Sequence, residues 1–201
     1  MTQNAWNSNI PVEISKGGTN ATSMSTSSGI VKYDGTSLVT STTALIDASN
    51  RYTNTSQPAF LAYVNTTITD VTGDGTTYTV IFDVESFDQG SNFNLGTSTF
   101  TAPVAGLYLF TFNLLLVGGT TISAGNIRIT TTSTTFNNSI SRTVSNAATS
   151  ARCSISSIAS MAVNDTAIFT IQSTDGSGKV DDVSGLVGGE VVTFVSGCLL
   201  C

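Results

Sequence analysis

Three kinds of side chain in this sequence could do chemistry: thiols, carboxylates and a few cations. The thiols are Cys153, Cys198 and Cys201, the last two within SGCLLC. A C-x-x-C spacing suits a metal or a redox pair. However, VVTFVSGCLL reads as a strand, where side chains alternate faces. Residues three apart then point to opposite sides and lie roughly 10 Å apart, beyond the ~7 Å between Cα atoms that a disulfide tolerates. The three are therefore expected as free thiols, buried or terminal, which fits synthesis in a reducing compartment. Asp70 and Asp74 in ITDVTGDGTTY suggest a cation loop but lack the alternating ligand ladder and final Glu of an EF-hand. Asp83, Glu85 and Asp88 could supply a carboxylate pair for glycoside hydrolysis, Asp83 and Glu85 sharing a strand face. Nothing else in the sequence marks a sugar cleft around them, and they read as acidic groups facing water.

Histidine is absent, which removes the commonest general base, the usual partner of a serine nucleophile and the commonest metal ligand. An enzyme is not expected. Three Lys and four Arg against thirteen acidic residues leave a net charge of −6. No basic patch for nucleic acid can be assembled from so few cations. No apolar run approaches the length of a membrane span, so membrane insertion is not expected. The N-terminal MTQNAWNSNIPVEI has neither the basic nor the apolar region of a signal peptide. A protein working outside the cell would then leave by lysis, specialised secretion or assembly onto a particle.

The elements that must position these groups are strands. Ser and Thr make up 61 of the 201 residues and only 20 are charged, a composition that with abundant Val, Ile and aromatics favours sheet over helix. Residues 1–56 are neutral overall and sparse in apolar side chains. They cannot bury enough surface alone to offset chain entropy. Two readings stay open for this segment: a disordered linker, or a thin shaft whose core several chains share. The short β-type runs GIVKYDG and SLVTS, around Asp34 and Gly35, suit the shaft.

From Gln57 the character changes. TYTVIFDVESF alternates, with Tyr78, Val80, Phe82 and Val84 on one side, and predicts a single half-buried strand. GLYLFTFNLLLV, Gly106 to Val117, is apolar on both faces, so it must be covered twice, by a second sheet or by a neighbouring chain. In FTAPVAGLYLF, Pro103 breaks the ladder at a short turn and Gly106 opens the next strand. Further strands are predicted at NIRITTT, ARCSISSIASMAV, AIFTIQS and EVVTFVSGCLL. The turns between them fall at Asn137–Asn138, Asn164–Asp165, Asp175–Gly178 and Gly188–Gly189. Eight to ten strands without a helix signal argue for an antiparallel sandwich or jelly roll.

Two resemblances sharpen this. SKGGTNATS, Ser15 to Ser23, is similar to a motif of phage tail-fibre and tail-collar proteins, which implies a shaft or particle-anchoring role for residues 1–56. Residues 57–201 resemble the globular head of the complement C1q and tumour necrosis factor superfamily. Four blocks in the family's order carry the likeness: PAFLAYV, VIFDVESFDQGSNFNLGTSTFTAPVAGLYLFTF, SIASMAVNDTAIFTI and TFVSGCLL. Cys198 departs from the pattern, standing where the family usually has an aromatic.

The resemblance implies an all-β, ten-stranded antiparallel jelly-roll sandwich that assembles as a homotrimer. Its core and trimer contacts would be Phe60, Tyr63, Phe82, Phe100, Gly106, Tyr108, Phe110, Phe112, Phe194, Gly197 and Leu199. Some members bind calcium near the trimer apex, where Asp175, Asp181 and Asp182 are the candidates here; no other cofactor is implied. Threefold symmetry would triple Lys179, Arg128 or Arg142 into a ring able to hold a ligand. The function implied is the non-enzymatic head of a phage, viral or bacterial fibre, extracellular or on a particle surface. It would bind a cell-surface glycan or protein through its loops, or serve only as a trimerisation cap.

Overall fold

The computed structural model describes residues 29–33, 36, 38–46, 52–118, 122–142, 150–174 and 178–200. The tail-fibre-like motif at 15–23, the Asp34–Gly35 turn, Asp175 and Cys201 lie outside them, as does the side chain of Arg142. The chain divides into two units between Ser56 and Gln57.

In the first unit, β1 (Gly29–Tyr33), β2 (Leu38–Ile46) and β3 (Tyr52–Asn54) form one antiparallel sheet in that order. Ile46 and Tyr52 are partners across β2 and β3, and both are exposed.

The second unit is an antiparallel sandwich of β4 (Ala59–Tyr63), β5 (Ile68–Thr72), β6 (Asp74–Thr79), β7 (Val84–Gln89), β8 (Phe93–Asn94), β9 (Thr99–Thr101), β10 (Gly106–Gly118), β11 (Ile122–Thr131), β12 (Thr135–Arg142), β13 (Ser150–Met161), β14 (Thr166–Thr174), β15 (Asp181–Val183) and β16 (Phe194–Leu199). Its first sheet runs β13, β10, β16, β4, β7, with β15 and then β5 continuing beside the far end of β10. The second runs β12, β11, β14, β9, β8.

β10 is the spine. All of Gly106 to Val117 pairs with β13 on one side, while Tyr108 to Asn113 pairs with β16 on the other. At the proximal end the chain enters at Gln57, whose side-chain amide donates to the Leu199 carbonyl at 2.5 Å. At the distal end β10 finishes beside β15, where Gly118 (φ 104°) passes so close that a Cβ would sit 2.2 Å from the Val180 carbonyl oxygen.

The core between the sheets is aromatic. Phe60, Phe82, Phe100, Tyr108, Phe110, Phe112 and Phe169 are essentially inaccessible. Phe60 stacks on Phe93 at 4.5 Å between ring centres, and Phe82 meets Phe112 edge-on at 6.1 Å. Such pairs contribute about 0.5–1.5 kcal/mol each beyond their buried area. Gly197 makes room for them, because a Cβ there would stand 2.5 Å from Phe60 and 2.7 Å from Phe110.

The FTAPVAGLYLF segment resolves as its composition requires. β9 ends at Thr101, Pro103 lies in a turn, and β10 opens at Gly106. The Tyr108 hydroxyl donates to the Val104 carbonyl at 2.7 Å, tying the turn to the strand it precedes. The Asn164–Asp165 turn locks against the same segment: Ala102 donates to the Asp165 carbonyl and Asn164 to the Ala102 carbonyl, both at 2.8 Å.

Two expectations about local structure need correction. TYTVIFDVESF is not one strand, since the ladder stops between β6 and β7, over Val80–Asp83. There the chain crosses between sheets. The Val80 amide donates to Phe169 of β14, and the Asp83 amide donates to Tyr63 of β4. Phe82 has no ladder partner at the crossing and instead donates to the hydroxyl of buried Ser98 at 2.8 Å. The alternation survives in burial because Val80 and Phe82 still point into the core. Second, Asn137–Asn138 is not a turn but the middle of β12, paired with Arg128 and Ile127 of β11. The Asn138 side chain supports this by donating across the sandwich edge to the Ser154 carbonyl at 2.8 Å.

Candidate functional site

The residues expected as core and trimer contacts separate into two sets. Phe60, Phe82, Phe100, Tyr108, Phe110, Phe112 and Gly197 lie inside the sandwich. Tyr63 and Phe194 face outward from the first sheet and are half-buried; Gly106 and Leu199 are half-buried near its proximal end. The pleat explains the split: β4 and β16 alternate buried and half-buried positions, so alternate residues belong to opposite faces.

That outer face is continuous across β13, β10, β16, β4 and β7. One row of cross-strand neighbours runs Phe87, Leu61, Ser196, Thr111, Ser156. The Thr111 and Ser156 hydroxyls are hydrogen-bonded at 3.0 Å. The next row toward the proximal end includes Ala59, Cys198, Leu109 and Ile158. Phe87, Leu107 and Ile158 are 51%, 43% and 54% exposed. β4, β10 and β16 contain no charged residue, and β13 contains only Arg152. A broad sheet face that is part apolar, part hydroxyl and uncharged on its three central strands has the chemistry of the centre of a protein interface.

Of the cations, Arg128 is held on the outer face of the second sheet, donating to Gln172 at 2.7 Å and to the Thr77 hydroxyl at 3.4 Å. Gln172 in turn donates to the Gly75 carbonyl at 2.7 Å. Lys179 is exposed at the distal end near Asp74. Asp74 is held below the usual carboxylate range, mainly by the Thr76 amide donating to it at 2.9 Å, with a smaller pull from Lys179.

Of the calcium candidates, the two described ones, Asp181 and Asp182, turn to different partners. Asp181 and Asp182 are successive residues of β15 with opposite burial. Asp181 points inward and accepts from the Ser173 hydroxyl at 2.5 Å, while Asp182 accepts from the Asp70 amide at 2.8 Å. Among the described residues no group of three potential ligands forms a metal site.

Asp83 does not share a strand face with Glu85, because it lies in the crossing before β7. Its carboxylate accepts from the amides of Asn65 at 2.6 Å and Thr66 at 3.3 Å. Asp88 accepts from the Phe93 amide at 2.8 Å. The Asp83 and Asp88 carboxylates are therefore used to hold backbone.

The thiols are free at Cys153 and Cys198. Burial pushes the Cys153 thiol up to about 12, which leaves it inert at neutral pH.

Among the clefts on the described surface of the head, two bear on the residues above. One, of about 550 Å³, lies at the seam of β12 and β13, with Asn113, Asn138 and Arg152 among its lining. The other, of about 540 Å³, lies in the distal half and is built from Thr66, Thr67, Ile68, Thr69, Tyr78, Ile81 and Asp83. Sequence reading missed the second cleft because it joins two separated segments, and its Ile81 and Asp83 sit in the crossing read as strand.

The C1q domain model matches residues 59–183. No curated protein matches the chain. Among solved structures, the globular domain of the zebrafish complement 1qA protein is 21% identical, with 72% of this chain and 98% of that chain covered at a TM-score of 0.50. Crystal structures of murine APRIL at pH 8.5 and pH 5.0 are 12% and 11% identical, each covering 72% of this chain and 99% of theirs at a TM-score of 0.49. The zebrafish domain shares the fold, an all-β antiparallel jelly roll. With more than half its length matched by the family model, the chain belongs to the C1q domain family.

Proposed function

We propose that the chain is the non-enzymatic, homotrimeric head of a fibre or surface appendage. It attaches a phage, another viral particle or a bacterium to a cell by binding a surface glycan or protein. The observation that carries this reading is the outer face of the first sheet: five strands wide, with no charge on its three central strands and with Leu107, Ile158 and Phe87 left exposed. Closed threefold packing buries such a face on every copy at once and leaves the distal loops for recognition. C1q domains commonly trimerise and bind receptors, and are generally non-enzymatic. Residues 1–56 would join the head to a fibre or particle base, outside the cell. In the trimer, Lys179, Arg128 and Arg142 would each occur three times around the axis and add cationic contacts for the receptor.

Saturable binding of the full-length chain to susceptible cells, or to an immobilised glycan panel, is the expected result. The same outer face also favours a second reading, a cap that sets the register of the fibre and binds nothing. Absence of cell binding, together with loss of trimers when residues 57–201 are deleted, would select the cap.

A further inference from the structure

We infer that the distal cleft formed by Thr66–Thr69, Tyr78, Ile81 and Asp83 is a binding site for a neutral saccharide, one pyranose unit presenting vicinal hydroxyls. This rests on the attachment reading and names the site and ligand class within it.

The cleft combines two surfaces. Its apolar part is Tyr78, Ile68 and Ile81, all half-buried. Tyr78 packs against the core cluster, so its ring is a fixed platform for the C–H face of a sugar. Its polar part is the hydroxyls of Thr66, Thr67 and Thr69 with the Asp83 carboxylate, all four residues exposed.

Asp83 is held before any ligand arrives. One oxygen accepts from the Asn65 amide at 2.6 Å and the other from the Thr66 amide at 3.3 Å. Each oxygen keeps acceptor capacity in reserve, so the pair is set to receive two neighbouring hydroxyls with little reorganisation. Thr67 is fixed too, its hydroxyl accepting from the Gly185 amide at 3.1 Å. The Tyr78 hydroxyl has no partner among the described residues, and burial raises its pKa, so it remains a donor.

Charge narrows the ligand. The only charged group in the lining is Asp83, so a carboxylate, sulfate or phosphate on the sugar would be repelled. Size narrows it further. A cleft of about 540 Å³ lies in the range of small-ligand sites, roughly 300–1,000 Å³, while a protein contact needs a far larger surface.

The test uses full-length protein with a panel of neutral and sialylated oligosaccharides, followed by titration of the best neutral binder. The inference expects saturable binding of a neutral sugar. Thr69→Glu, an exposed substitution that fills the cleft with charge, should weaken it at least about tenfold, and Tyr78→Leu should weaken it similarly with the fold retained. Asp83→Asn should cost about tenfold and relax the rejection of the sialylated members. Neutral-sugar binding unchanged by Thr69→Glu and Tyr78→Leu would overturn the inference while leaving attachment intact. Exclusive binding of acidic sugars would overturn it in the same way. Absence of all cell binding would instead remove the attachment reading on which it rests.

Discussion

The two sheets of the head turn opposite surfaces outward while sharing one core. On the outer face of the first, β4, β16 and β10 present Leu61, Tyr63, Phe194, Ser196, Cys198, Leu109 and Thr111, without a charge. On the outer face of the second, β11 and β12 present Asn126, Arg128, Thr130, Thr135, Asn137 and Ser139, and Arg128 is tied into Gln172 and Thr77. Both faces lie on strands of the same alternating type. The pattern that tells inside from outside is the same for both, so the difference between the outer faces lies in their chemistry: polar for the second, and for the first the uncharged surface that the proposed assembly would cover.

Breaking the comparison on the first face should have the largest effect. Leu109→Glu places a charge at the centre of that face and should abolish assembly, read as a fall to the mass of one chain by light scattering. Asn126→Glu, at a matching outward position of the second sheet, should leave assembly intact. Equal behaviour of the two variants would erase the distinction.

Next comes the core that both faces share. Phe110→Ala removes a fully buried ring packed on Phe60, Phe100 and Phe169. It should cost about 3–5 kcal/mol, measured by denaturant unfolding. On the polar face, Arg128→Ala loses two side-chain hydrogen bonds to partly exposed groups and should cost only about 1 kcal/mol. A ranking in the other order would contradict the assignment of core and surface.

The thiols sharpen the comparison. In a Cys201→Ser background, Cys198 on the first outer face should react with iodoacetamide slowly in the trimer and quickly in the Leu109→Glu monomer. Cys153 should stay protected in both. Its pKa is raised from 9.0 to about 12 by burial, so it carries about a thousandfold less thiolate near neutrality. The sign for stability follows: below pH 9 both folded and unfolded thiols are protonated and the fold loses nothing. As pH rises from about 9 toward 12 the unfolded thiol ionises first, and stability falls. Cys153→Ala should flatten that alkaline loss.

Much of this architecture is legible in the residues themselves. Leu107, Leu109 and Leu115 opposite Tyr108, Phe110, Phe112 and Leu114 mark β10 as a strand apolar on both faces, and Pro103 with Gly106 mark its start. Two features were hidden. An alternating run such as TYTVIFDV keeps its period through a change of sheet, because inward residues remain inward; only the amides reveal the crossing, through Phe169, Ser98 and Tyr63. Paired Asn residues carry a turn signal that β11 overrides by pairing with Asn137 and Asn138. The distal cleft was illegible for a related reason. Thr66–Thr69 and Tyr78–Asp83 are brought together only by that crossing, and threonines beside a lone aspartate have no distinctive spacing.

The central claim is that the uncharged face of the first sheet is a subunit contact. Sedimentation equilibrium of the full chain at micromolar concentration tests it most directly. The account predicts a single species of about 62 kDa, three times the 20.8 kDa chain. A species of 20.8 kDa at that concentration would contradict it.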